Sequence, residues 1–183
     1  MQYQKAIELD TSKTELWREI SNAYEQKNDY TDAIVAYQKY YEALPADEQT
    51  ADLQFQIGKL YYGKGTQSDT LTVSLDERKA ALVSADSVFA VIAQAAPDSY
   101  LGNFWRARAN SALDPETTQG LAKPYYEEVA ALLVNKNDPR YNSALVECYS
   151  YLGYYYLVAN KLPESKEYWN KIPVSYTHLT LPT

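Results

Sequence analysis

The feature that most constrains this chain is a helical spacing of apolar residues that returns after 34 positions. Trp17, Ile20 and Tyr24 follow one another at intervals of three and four residues, which is the spacing of one face of an α-helix. Four early residues align with residues 34 positions later: Tyr3 with Tyr37, Ala6 with Tyr40, Ile7 with Tyr41 and Thr11 with Pro45. A period of this length is typical of stacked helix pairs, which bury their apolar sides only against one another.

Composition favours helices over strands. The chain has only six glycines and eight prolines in 183 residues, too few turn residues for a protein of many short strands. Its three tryptophans and 19 tyrosines supply large side chains to fill the space between helices. Alternation of apolar and polar residues, which would indicate half-buried strands, is scarce. The sequence therefore predicts an all-α protein.

The segment that begins at Thr14 resembles the tetratricopeptide repeat, a pair of antiparallel helices called A and B. That family places a large residue, an apolar–small pair and an aromatic residue in helix A, and small and aromatic residues followed by proline in helix B. The matching residues are Trp17, Ile20, Ser21, Tyr24, Ala33, Tyr37 and Pro45, with Tyr40 where a small residue is usual. A Ser12-x-x-Glu15 capping box predicts the start of this helix A.

A second repeat starts near Ala51 and contains a long insertion. Its matching residues are Ile57, Gly58, Tyr61 and Gly65, followed after 15 extra residues by Ala85, Phe89 and Pro97. The insertion is rich in Ser and Thr and ends in a second capping box, Ser74-x-x-Glu77. We therefore expect a short loop and then an extended helix B from about Leu75 to Ala95.

Two further repeats follow. The third, from about Tyr100, is degenerate: its helix A has no fixed register and is broken by Asp114-Pro115, and its helix B tolerates Pro124 only in the first turn. The fourth starts near Val146, with Asp138-Pro139 beginning its helix A early. Its matching residues are Tyr149, Leu152, Gly153, Tyr156, Ser165, Trp169 and Ile172.

The resemblance implies a right-handed α/α superhelix of antiparallel helix pairs over residues 1–172. We expect a half repeat at 1–13 and repeats at about 14–47, 51–99, 100–136 and 146–172, in a piece of a longer protein. Small residues at Ser21, Gly58 and Gly153 should let each helix A approach its own helix B.

The last residues differ in character from the rest. Residues 174–183 read VSYTHLTLPT, without Asp, Glu, Lys or Arg and without a helical period. The string resembles a translated sequencing adaptor, so we interpret 173–183 as a non-native tail; a genuine disordered tail is the alternative. His178, the only histidine, lies in this tail, so residues 1–172 lack the commonest general base and metal ligand.

Charge and cysteine content narrow the classes of function. The formal net charge of −7 disfavours binding to nucleic acid or anionic membranes, and no apolar run is long enough to span a bilayer. Cys148 is the only cysteine and lies in an apolar helix, where a buried structural role outweighs a reactive thiol. Glu127 and Glu128 are adjacent and point in different directions, as on a solvated helix face. We therefore predict no enzymatic activity, metal site or cofactor.

Helix A lines the concave groove in this family. The resemblance implies a peptide-binding groove lined by Arg18, Asn22, Gln26, Phe55, Gln56, Lys59, Tyr62, Ser150 and Tyr154. This mixture of aromatic and amide side chains suits an extended peptide. An alternative for Tyr154 is packing against a following repeat.

Arg18 and Asn22, with Gln56, partly match the clamp with which some family members hold a peptide's C-terminal carboxylate. Leu101 and Trp105 stand where the third repeat would add basic residues, so the clamp is incomplete. Ordinary solvation of polar residues on a helix is the alternative interpretation of Arg18.

Two functions fit these patterns. The first is a scaffold that holds peptide segments of a protein partner or assembles a complex. The second is a regulatory or sensor module of a longer bacterial signalling protein. The sequence identifies neither the partner nor the compartment, and both cytoplasm and periplasm are compatible with it.

Overall fold

The structure is a computed structural model that describes residues 14–68 and 73–172. Within these ranges there are eight α-helices, one short 3-10 helix at Pro139–Tyr141 and no strand. The helices are α1 Glu15–Glu25, α2 Tyr30–Ala43, α3 Ala51–Thr66, α4 Leu75–Ala95, α5 Leu101–Leu113, α6 Lys123–Val134, α7 Asn142–Val158 and α8 Leu162–Asn170. The all-α prediction is confirmed. The half repeat at 1–13, Ser12 of the first capping box and the tail at 173–183 lie outside the described residues.

The chain divides between Ile92 and Ala93, within α4, into two compact units. In unit 1, up to Ile92, α2 packs between α1 and α3. The buried core of this unit consists of Ala33, Ile34, Tyr37, Tyr40, Ile57 and Leu60. Trp17, Tyr24 and Tyr61 cover this core and stay partly exposed, as amphipathic aromatic side chains often do.

Small residues set the distance between helices in unit 1. Ser21 is buried and its hydroxyl donates a 2.8 Å hydrogen bond to the carbonyl of Ala33 on α2. A Cβ added at Gly58 would lie 2.6 Å from the ring of Phe89 on α4. A larger residue at Gly58 would clash with this ring, so Gly58 and Ser21 occupy positions where α3 and α1 pack closely on their partner helices, as predicted.

Unit 2, from Ala93, also has small residues where two helices pack closely. Here α6 packs against both α5 and α7, and α7 packs against α8. The buried core is made of Phe104, Ala107, Ala122, Tyr126, Val129, Ala130, Leu133, Ala144, Cys148, Tyr149, Leu152 and Ile172. Gly153 lies against Trp169, where an added Cβ would come within 2.7 Å of the indole ring. The hydroxyl of Ser165 donates a 2.8 Å hydrogen bond to the carbonyl of Gly153.

The second predicted capping box, Ser74-x-x-Glu77, is confirmed at the start of α4. The Ser74 hydroxyl and main-chain N–H both donate to the carboxylate of Glu77, and the N–H of Glu77 donates back to the hydroxyl, which is a complete capping box. This box precedes α4, which spans the predicted Leu75–Ala95. Pro124 lies in the first turn of α6, where proline interrupts no helical hydrogen bond.

The link between α5 and α6 is held by one buried carboxylate. Asp114 is 2% exposed and accepts hydrogen bonds from the main-chain N–H groups of Thr118, Gln119 and Gly120. Thr117 and Gly120 adopt positive φ angles of 55° and 67°, which turn the chain around the carboxylate. The break predicted at Asp114-Pro115 is therefore confirmed, since α5 ends at Leu113.

Candidate functional site

The exposed stripe of α1 carries three of the residues predicted to bind a peptide. Arg18, Asn22 and Gln26 are all exposed and, at intervals of four, lie on one side of the helix. Arg18 is engaged: its guanidinium lies 2.8 Å from the carboxylate of Glu15 and 5.6 Å from the ring centroid of Tyr40. Arg18 therefore already has partners within the protein, and its proposed contact with a peptide stays a prediction.

Four more predicted residues lie on α3 and are all half-buried: Phe55, Gln56, Lys59 and Tyr62. The ring of Phe55 packs edge-on against the buried ring of Phe89, with centroids 5.4 Å apart. Phe55 thus contributes to the packing between helices as well as to the exposed surface.

A chain of long hydrogen bonds joins the two helix faces. Lys59 Nζ donates to Gln56 Oε1 over 3.4 Å, and Gln56 Nε2 donates to Glu25 Oε2 on α1 over 3.4 Å. The predicted residues of α1 and α3 are therefore brought together through Glu25, which the sequence analysis did not include.

Glu25 is one of four acidic residues on this surface that sequence reasoning missed. Glu15 lies three residues before Arg18, and Glu19 lies three residues before Asn22 and seven before Gln26, so both share the stripe of α1. Asp52 lies in the first turn of α3. We call the whole surface the unit 1 face, formed by Glu15, Arg18, Glu19, Asn22, Glu25, Gln26, Asp52, Phe55, Gln56, Lys59 and Tyr62. Helical spacing places the glutamates on the stripe of Asn22 and Gln26, but exposed glutamates are too common on helices for that spacing alone to indicate a binding surface.

In unit 2 the predicted residues lie on α7. Ser150 is half-buried, and Tyr154 is 43% exposed. One turn further along the helix, Leu157 and Val158 are also exposed, at 48% and 39%. These three large side chains make a continuous apolar surface on one side of α7.

The structure also fixes the register of the third helix pair. Phe104 of α5 packs edge-on against Tyr126 of α6, with centroids 6.3 Å apart, as Phe55 packs against Phe89 in unit 1. With Phe104 aligned to Phe55, Arg108 takes the place of Lys59. Sequence reasoning missed Arg108 because this register was open.

Arg108 is the centre of a polar network. Its guanidinium makes two hydrogen bonds, of 2.8 and 2.6 Å, to the carboxylate of Glu147, and lies 4.5 Å from the ring centroid of Phe104. The Tyr126 hydroxyl donates to the same carboxylate over 3.0 Å. Burial, and then the charge of Glu147, raise the pKa of Tyr126 well above its usual range, so the phenol stays a donor. With Ser150, Tyr154, Leu157 and Val158, Arg108 and Glu147 form what we call the unit 2 face.

Residues suited to catalysis or metal binding are not gathered in the described part of the chain. Cys148 is fully buried, and burial raises the pKa of its thiol to about 12, so it is not ionised near neutral pH. Among the described residues no group of three His, Cys, Asp or Glu side chains could hold a metal ion. None of the described helices is both long and apolar enough to cross a membrane.

Comparison with known proteins supports the helix-pair interpretation. No family model and no curated protein sequence matches the chain. Among solved structures, the chain is similar to the C-terminal part of a TPR repeat-containing protein from Cytophaga hutchinsonii, with 28% identity and a TM-score of 0.73. The match covers 98% of this chain, which spans 62% of the length of that neighbour. The resemblance to the tetratricopeptide repeat, first seen around Trp17 and Tyr24, is thereby confirmed.

Proposed function

We propose that this chain, an all-α fold of tetratricopeptide-type helix pairs, is a scaffold that binds a segment of a protein partner along the exposed sides of its A helices. In this proposal the pairs α1/α2, α3/α4, α5/α6 and α7/α8 are the repeats. Folds of this kind generally serve protein interaction. Two separate surfaces are proposed, the unit 1 face and the unit 2 face, which include every residue predicted from the sequence to bind a peptide.

One observation carries the proposal: the apolar surface of α7. Tyr154, Leu157 and Val158 keep 39–48% of their surface exposed on one side of one helix. Single exposed apolar residues are common, whereas a continuous group on one side of a helix is typical of an interaction site. Tyr154 adds a hydroxyl at the edge of this surface, which suits it to a partner's main chain.

The arrangement of Arg108 and Glu147 supports binding rather than catalysis. Each satisfies the other's charge, and both side chains are about one-third exposed, at 32% and 33%. We therefore propose that the pair stiffens the surface on which a partner lies and that the chain is not an enzyme.

Peptide selection against the full chain tests the proposal. Hits from a random peptide library would be measured by isothermal titration calorimetry against the native chain and the Tyr154→Ala/Leu157→Ala variant. We expect the double variant to weaken binding roughly ten-fold, as removal of central apolar contacts does at other interfaces. Val134→Ala is the matched control, because Val134 is 54% exposed on α6. If no peptide binds, or if the control weakens binding as much as the double variant, the proposed function is wrong.

A further inference from the structure

The unit 1 face has an unequal balance of charge. Its acidic residues are Glu15, Glu19, Glu25 and Asp52, and its basic residues are Arg18 and Lys59. Four carboxylates against two cations leave an excess of negative charge on the surface where the proposed peptide would lie. Amides and the half-buried rings of Phe55 and Tyr62 make up the rest of the face.

The two cations already have partners on the same face. Arg18 lies 2.8 Å from the carboxylate of Glu15, and Lys59 donates to Gln56, which in turn donates to Glu25. A carboxylate on the ligand would have to displace one of these interactions. Such an exchange replaces one interaction with another, so it adds little to the binding free energy at an exposed surface.

Two of the carboxylates are differently placed. Glu19 is exposed and forms no ion pair with any described residue, and the same is true of Asp52. A ligand cation would therefore find acceptors here without displacing an existing partner. The negative potential of the face would also speed the approach of a cation and slow that of an anion.

We infer that the segment held by the unit 1 face is a basic peptide, with lysine or arginine side chains between apolar or aromatic ones. This inference rests on the proposed function, since it specifies the partner for one of the two proposed surfaces. Its basic side chains would pair with Glu19 and Asp52, and an arginine could also stack on the rings of Phe55 or Tyr62. A peptide recognised by its free C-terminal carboxylate is excluded by this assignment.

A charge series tests the inference. Three labelled peptides share one length and the same aromatic residues, and their remaining positions are all Lys, all Gln or all Glu. Fluorescence polarisation with the full chain should give the order Lys, then Gln, then Glu, and the advantage of the Lys peptide should shrink as salt rises. The screening length falls from about 10 Å at 0.1 M salt to about 3 Å at 1 M. Equal affinities, or tighter binding of the Glu peptide, would overturn the inference.

Variants locate the effect on the unit 1 face. Glu19→Gln/Asp52→Asn should weaken binding of the Lys peptide by roughly two- to five-fold for each lost charge and leave the Gln peptide unchanged. Glu42→Gln, an exposed position on α2, is the matched control and should change neither affinity. An unchanged preference for the Lys peptide in the double variant would also overturn the assignment. If no peptide of any charge binds and library selection also fails, the proposed function itself is wrong and the inference falls with it.

Discussion

The hydroxyl of Ser21 on α1 donates a buried 2.8 Å hydrogen bond to the main-chain carbonyl of Ala33 on α2. The last helix pair contains the same contact with the roles exchanged, since the hydroxyl of Ser165 on α8 donates over 2.8 Å to the carbonyl of Gly153 on α7. In the first pair the serine occupies the position that must be small, whereas in the last pair Gly153 occupies it and the serine lies on the facing helix. In both pairs the serine adds a buried hydrogen bond between the helices. The donor lies on the first helix of the first pair, α1, and on the second helix of the last pair, α8.

Ser21→Ala should destabilise the protein because it removes this buried donor without changing the size of the residue much. A buried hydrogen bond between uncharged groups contributes about 1 kcal/mol to the free energy of unfolding. Urea denaturation followed by circular dichroism should show a loss of that size for Ser21→Ala and for Ser165→Ala. Ser87→Ala is the matched control, since the Ser87 hydroxyl bonds only to Val83 of its own helix at the surface. A loss no larger than that of Ser87→Ala would contradict the role given to Ser21.

Gly58→Ala and Gly153→Ala should differ although the two glycines are equivalent in the repeat. The new Cβ would lie 2.6 Å from Phe89, which is fully buried, or 2.7 Å from Trp169, which is 38% exposed. Trp169 can move toward solvent, whereas overpacking a core ring costs about 1–3 kcal/mol. Alanine also gains up to about 1 kcal/mol as a helix former. We therefore expect a lower melting temperature for Gly58→Ala and little change for Gly153→Ala; the reverse order would refute this account.

The close approach of the helices was predictable from sequence, while the third pair was not. Ser21, Gly58 and Gly153 each follow a large apolar residue. In the repeat pattern a small residue at this position has one role, which is to let helix A pack closely against helix B. In α5 the choice is open because Ala107 and Ala109 are both small but each follows an arginine, so neither forms the apolar–small pair. The contact of Phe104 with the ring of Tyr126 on α6 distinguishes the two registers, and the sequence does not predict which rings will be in contact.

The charge of the proposed binding surface escaped sequence reasoning for a different reason. Glutamates such as Glu19 are common on exposed helix faces, where they mainly interact with water, so their spacing alone does not indicate a binding surface. The link from Glu25 to Gln56 depends on how α1 and α3 meet, which the repeat pattern does not encode. The groove residues inferred from the family resemblance stay predictions until binding is measured.

Cys148 should be unreactive in the folded protein. Burial raises the pKa of its thiol to about 12 from the usual 9.0, so at pH 8 the native chain should react with a thiol reagent only as fast as it unfolds. Because the pKa is higher in the folded state, the associated stability is complete below pH 9 and is lost as pH rises toward 12. In denaturant, the same thiol reagent should react at once with one thiol per chain. Rapid labelling under native conditions would contradict the buried role of Cys148.

Arg108 and Glu147 should be coupled more strongly than an ordinary surface pair, because two parallel hydrogen bonds join them and both are partly buried. A double-mutant cycle with Arg108→Met and Glu147→Gln, followed by urea denaturation, should give a coupling energy of about 1 kcal/mol. Methionine keeps the packing on neighbouring aromatic rings. The same cycle on Glu167 and Lys171, which are 65% and 41% exposed, should give less than about 0.5 kcal/mol. Equal coupling in the two pairs would show that the Arg108–Glu147 geometry adds nothing.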